Sequence, residues 1–256
     1  MKKFFFSIFA FVSLFLLNTN VYALTEFEVN DVSEYFSAIE EINNSSNSEF
    51  KIILKSDIVV DDAASVKNNN TIGNGNTVTI VGGGHTFKCV LSSNCRLKAL
   101  GGNINLGLED GSDILILEGN DTLSDTQESL VLISNGVVNM YDGVTLQKNK
   151  SEVMALTGAG VSIGGNGIFN MYGGVIQDNY TKSSSYGGAI ILNADGAVFN
   201  MYDGTIQNNE ATTLGGAIYQ ENGTVNLYKG TFKSNKSQYG GAIAVYGGPF
   251  NSYDVE

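Results

Sequence analysis

The sequence predicts an all-β protein, a right-handed single-stranded parallel β-helix with a short N-terminal capping helix. Three observations carry that prediction. An Asn-x-Tyr triplet recurs at Asn139, Asn170, Asn200, Asn226 and Asn251, at intervals of 25 to 31 residues. Each complete unit holds three short apolar segments with strand-type alternation, and none has a helical period. The composition sets 31 glycines against one proline, which suits many tight turns at positive φ rather than a disordered linker. A leucine-rich repeat would need a helix-period segment, and a propeller blade would need four strands over about 40 residues.

The elements follow in chain order. Residues 1–23 read as a signal peptide: Lys2 and Lys3 precede an apolar run from Phe4 to Leu17, and Val21-Tyr22-Ala23 supplies a small-residue cleavage site. The run is short for a membrane span, which takes roughly 20 apolar residues, so no transmembrane segment is expected in the mature chain. Residues 24–49 form an N-terminal cap. Within it, Val32, Tyr35, Phe36, Ile39 and Ile42 share one helical face, and Asp31 with Glu34 has capping-box spacing. A β-helix exposes the end of its core, and such a helix can cover it.

Residues 50–256 form the β-helix, with degenerate coils from Phe50 and clear repeats over 138–256. In the clear units Val138/Met140, Phe169/Met171, Phe199/Met201 and Val225/Leu227 alternate inward. Turn pairs close these strands at Asp142-Gly143, Gly173-Gly174, Asp203-Gly204 and Lys229-Gly230. A second strand ends in an xxN element, at Asn149, Asn179, Asn209 and Asn235, whose amides can pair from coil to coil as a structural ladder. A third strand opens with GAGV at Gly158 or GGAI at Gly187, Gly215 and Gly240. Its inward positions are Val161/Ile163, Ile190/Leu192, Ile218 and Ile243/Val245. Neighbours such as Ile191 and Tyr219 are expected to face out.

Stacking coils would also place Tyr141, Tyr172, Tyr202, Tyr228 and Tyr253 in one outer aromatic stripe. That stripe reads either as a binding surface or as a stack that holds neighbouring strands together, at a few tenths to about 1 kcal/mol per pair. Cys89 and Cys95 are the only cysteines, and in an exported protein they are the candidate disulfide. They make no zinc site without a second ligand pair.

Charge excludes some partners. Without Lys2 and Lys3 the chain carries 12 basic against 26 acidic side chains, the wrong balance for nucleic acid, whose phosphates demand clustered cations. Acid–base machinery is thin, with one histidine, His85, and one arginine, Arg96. His85 reads as a turn residue with no carboxylate adjacent in sequence. Asp142 and Asp203 occupy equivalent positions, but each precedes a turn glycine. Asp61-Asp62 and the Glu109, Asp110, Asp113 group lie beside turns and read as solvated. No catalytic residue, cofactor or metal site is expected.

GGAI at 187–190, 215–218 and 240–243, with FKSN at 232–235, resembles the repeats of the chlamydial polymorphic outer-membrane proteins. The resemblance covers roughly residues 130–256, and three of four units carry Leu or Ile where that family has Phe. It implies a β-helix passenger of autotransporter type at the bacterial outer membrane or cell surface, or released from it. The implied role is attachment to a host surface protein or glycan. The same pectate-lyase-like solenoid also hosts polysaccharide-cleaving enzymes, so a secreted lyase or hydrolase is the alternative.

The final stretch, FNSYDVE, begins a further Asn-x-Tyr strand with Ser252 at the inward position. It is expected to be a coil cut short, the front part of a longer surface protein, with end-to-end self-association through the uncapped coil as the other reading.

Overall fold

A computed structural model of the protein describes residues 24–46, 48–61, 70–90, 95–120, 128–151, 157–182 and 186–256; the signal-peptide reading and Asp62 lie outside them. Every strand pairing in it is parallel, and the chain winds as a right-handed β-solenoid of about seven turns with one short helix. Three walls result.

The first wall carries the Asn-x-Tyr strands, among them Val137–Met140, Ile168–Met171, Val198–Met201 and the front of Thr224–Lys233. The second runs from Ile58–Val60 through Val144–Gln147, Val175–Gln177 and Thr205–Gln207 to the back of Thr224–Lys233. Because that last strand bends through the corner, the two walls merge there into one 15-stranded sheet. The third wall is a 7-stranded sheet from Thr71–Ile72 to Ile243–Val245.

Period-two alternation decides which side chains fill the cylinder. Val138, Met140, Phe169, Met171, Phe199, Met201, Val225 and Leu227 are all fully buried, and Phe169 stacks on Phe199 with ring centroids 5.4 Å apart. Identical residues meet across the first wall, Asn139 opposite Asn170 and Met140 opposite Met171. This register survives unequal coils: equivalent asparagines are 31, 30, 26 and 25 residues apart along the clear repeats. The differences in length therefore fall between the ladder strands rather than within them.

The degenerate coils obey the same rule. Strands Glu49–Leu54, Thr77–Val81 and Asn103–Leu106 lead residue for residue into the clear repeats. The segment 24–49, besides its helix, supplies a strand, Thr25–Val29, that pairs with Glu49–Leu54. The helix, α1, spans Val32–Asn44 and buries Tyr35, Phe36, Ala38, Ile39 and Ile42. Its Asp31 cap accepts the Glu34 N–H at 2.9 Å, while the Glu34 carboxylate accepts the Asn30 N–H at 2.8 Å. The reciprocal bond thus reaches one residue beyond a standard capping box. Tyr35 packs on Phe87 at 4.7 Å and donates its hydroxyl to Asn70 at 3.0 Å, tying the helix to two later segments.

Backbone sterics explain the GGAI motif. Gly187, Gly215 and Gly240 have φ of 72°, 62° and 65°, the left-handed region. A Cβ on the second glycine, Gly188 or Gly216, would strike the carbonyl oxygen of Gly216 or Gly241 in the next coil. One glycine turns the chain; the other lets two coils approach.

Ile191 and Tyr219 face out as expected, but not into solvent. Both point away from the cylinder, yet Ile191 is fully buried and Tyr219 is 6 % exposed. The reason is the glycine corner, which folds back over the outer face of the strand it precedes and sets Gly187 beside Ile191 and Gly215 beside Tyr219. The Tyr186 ring completes the roof, 4.7 Å from Tyr219. Sequence alternation separates inward from outward; it does not reveal a second layer of chain.

The final strand, Phe250–Val255, continues the first wall, with Asn251 opposite Asn226 and Ser252 opposite Leu227.

Candidate binding surface

The tyrosines of the Asn-x-Tyr strands occupy the corner between the first and second walls, just before the turn glycines. Stacking places their rings nearly parallel: centroids are 5.4 Å apart for Tyr141–Tyr172, 4.9 Å for Tyr172–Tyr202, 5.0 Å for Tyr202–Tyr228 and 5.5 Å for Tyr228–Tyr253. Each interior ring has a neighbour on both faces, so what it shows to solvent is its edge and hydroxyl end. Tyr202 is 39 % exposed and Tyr253 69 %. Burial, then Glu109 and Tyr172, push the Tyr141 phenol up. Burial, then Tyr172 and Tyr228, do the same for Tyr202. Ionising one ring would place its charge against the next.

Two residues before each tyrosine the sequence repeats Asn, and the outward amides form a continuous chain. Asn139 donates to Asn105, Asn170 to Asn139, Asn200 to Asn170, Asn226 to Asn200 and Asn251 to Asn226, at 2.8–2.9 Å. Across the corner, Gln207 donates to Gln177 and Gln177 to Gln147, which donates to Glu118 at 2.7 Å. Neither outer ladder was expected from the sequence. The signal was present as Asn in every Asn-x-Tyr strand and Gln in three successive xxN elements. A carboxamide has two donors and two lone pairs, so each rung spends half its capacity on the ladder and keeps half for water or another polar group.

The expected xxN ladder forms as well, on the inside, with Asn179 donating its amide to Asn209 and Asn209 to Asn235 at 3.0 and 3.1 Å. Asn149, Asn179 and Asn209 are buried. Asn179 Oδ1 accepts the Asn149 N–H at 3.1 Å, Asn209 Oδ1 accepts the Asn179 N–H, and Asn235 Oδ1 accepts that of Asn209. The preceding residues, Lys148, Asp178, Asn208 and Ser234, have φ of 52–55°, and this left-handed kink turns each asparagine inward.

The other sequence candidates are dispersed. Cys89 and Cys95 are bonded, with Cα atoms 5.8 Å apart, inside the usual range. His85 meets a carboxylate after all: its Nδ1 lies 3.5 Å from Asp57 Oδ1, from the preceding coil. Asp113 is buried and accepts the N–H groups of Gly82 and Gly83 at 2.8 Å, whereas Asp61, Glu109 and Asp110 are exposed. Asp142 and Asp203 each accept the N–H of the glycine that follows, and Lys229 also donates to Asp203 at 2.6 Å, which with the Gly204 N–H lowers that carboxyl. Glu118 lies 2.7 Å from Lys88. Burial alone would raise its carboxyl, but Lys88, Gln147 and Lys148 together hold it below the ordinary range. Among the described residues no group of three or more His, Cys, Asp or Glu side chains is arranged to hold a metal ion. No helix among them is long and apolar enough to cross a membrane, which says nothing of a β-barrel.

No protein-family model, curated protein or solved structure matches this chain.

Proposed function

We propose that this solenoid is a non-catalytic attachment module, exported to a bacterial cell surface, that binds an extended glycan along its tyrosine corner. The observation that carries the reading is the parallel run of a phenol row between two carboxamide rows, each repeating once per coil. A regular array of hydroxyls, ring edges and amides suits a ligand that repeats at a similar step, and a polysaccharide laid along the solenoid axis is such a ligand. Because neighbours cover the interior ring faces, recognition would run through hydrogen bonds to hydroxyl and amide groups rather than through sugars stacked flat on aromatics. The net negative charge favours neutral glycans over polyanions at this face. The passenger role and outer-membrane location rest on the GGAI-type repeat.

Tyr172→Ser/Tyr202→Ser/Tyr228→Ser tests the reading on immobilised glycans and on cells. Binding by the parent chain that falls at least about tenfold in the triple variant, with unchanged circular dichroism, supports it. Equal binding by both sinks it. Incubation with acidic polysaccharides and calcium, read by unsaturated-product absorbance, addresses the lyase alternative; turnover above buffer would replace the attachment reading.

A further inference from the structure

Away from the tyrosine corner, on the outer side of the third wall, lies a charge arrangement that the attachment reading does not use. Arg96, the only arginine in a chain of net charge −12, immediately precedes strand Leu97–Leu100, and Lys98 lies two residues on, on the same side of the chain. Lys98 is 8 % exposed and makes no hydrogen bond or ion pair with any described residue. Arg96 reaches Glu128, with Nε 2.9 Å from Oε2. That nitrogen is nevertheless buried and without a hydrogen bond, because its N–H does not point at the oxygen.

Two cations thus face one carboxylate. Burial and then the Arg96 charge lower the Lys98 ammonium, and Glu128 only partly offsets them. Burial likewise lowers Arg96, against Glu128. Covering most of a cation's side chain with no hydrogen-bonding partner among the described residues carries a cost, and a second like charge beside it adds to that cost. Lys98 also stands where the next two coils have Leu132 and Ser162, so the wall itself does not require a cation there. A stacked aliphatic residue would satisfy it at lower cost.

We infer that Arg96 and Lys98 form a binding site for a single oxyanion, with Glu128 as the carboxylate that competes with it for the guanidinium. The planar guanidinium fork matches an oxyanion's paired oxygens, and an ammonium beside it supplies a further charge-assisted donor. The ligand class is a sulfate or carboxylate group, either a free anion or the acidic group of a sugar. The site stands independently of the tyrosine corner, which Lys98 substitutions leave intact.

Calorimetric titration of the full chain with sodium sulfate and, separately, sodium glucuronate, in chloride of matched ionic strength, tests the site. Saturable uptake at one site, weakened about tenfold or more by Lys98→Met, supports it. Sulfate binding points to a free anion, and uptake of glucuronate alone to an acidic sugar. No saturable binding of either, or equal binding by Lys98→Met, overturns the inference. Should Lys98→Met fail to fold, Glu128→Gln carries the test: removing the competing carboxylate should tighten anion binding several-fold, and unchanged or weaker affinity overturns it.

Discussion

The front coils, up to residue 120, and the clear repeats, from residue 138, build the same walls by different means. In the repeats, like stands on like: Phe on Phe, Met on Met, Tyr on Tyr, Asn on Asn. In the front, neighbouring coils differ, and specific one-off contacts align them. Lys51 meets Glu26 at 3.0 Å, Lys55 meets Glu28 at 3.1 Å and Lys88 meets Glu118 at 2.7 Å, while the Cys89–Cys95 bond staples a corner within a single coil. Helix α1 closes the front. Register can therefore come from repetition, where every rung votes for the same alignment, or from a few unlike pairs that fit only one way. Repetition spreads the stability over many rungs but leaves each coil interchangeable with its neighbour. The front is where the winding is told where to begin.

Mutations can break this comparison, and the largest effect belongs to the repeat core. Phe169→Ala removes a buried ring stacked on Phe199 and should cost about 3–5 kcal/mol, read by urea unfolding. The inner ladder comes next. Asn179→Ala leaves the Asn149 N–H without its acceptor and the Leu146 carbonyl without its donor, at about 2–3 kcal/mol. In the front, reducing the Cys89–Cys95 bond should cost about 2 kcal/mol for so short a loop. Hydrogen exchange should show that loss concentrated before residue 120; a loss spread evenly over all coils would contradict the division.

Alkali probes both regions together. Burial raises the Tyr35 phenol in the folded protein, and Tyr141 and Tyr202 are raised as well. An unfolded tyrosine ionises near about 10. Above that pH the folded state keeps protons that the unfolded state sheds, so stability should fall as pH rises, by up to about 1.4 kcal/mol per pH unit for the buried Tyr35 and by much less for the solvent-screened Tyr141 and Tyr202. Parallel unfolding curves and phenolate absorbance check this; stability that stays level through that range would refute it. The outer ladder should matter less. Asn226→Ala is expected to cost about 0.5–1 kcal/mol, because its rung is only partly buried. Smallest is Asp178→Gly, which relieves a left-handed φ of 55° but frees the unfolded chain, a net change within about 0.5 kcal/mol by thermal melting.

How much of this was legible follows from the same contrast. Winding, wall assignment and the inward residues could be read from the Asn-x-Tyr and GGAI periods, because in a parallel stack sequence period is spatial neighbourhood. The tyrosine row was legible for the same reason. The outer asparagine and glutamine ladders were written in the same positions, but polar residues on an outer face read as solvated unless the rung above is considered. The outward direction of Ile191 and Tyr219 was legible too, but their cover was not, because alternation along one strand does not show that the glycine corner folds back over it. The Arg96–Lys98–Glu128 group could not be read at all. It joins Arg96 and Lys98 to a carboxylate 30 or more positions away in a coil that shares no motif with theirs, and only their burial shows that the charges matter to one another.

Coils of 31, 30, 26 and 25 residues keep one register on the first wall. The walls act as a ruler with fixed graduations, while the corners act as slack that can be let out or taken in. New loops can therefore be grafted at a corner without recalibrating the ruler. A chain of this kind can change what it touches and how far it reaches as separate variables, the first by editing a corner and the second by adding a whole graduation.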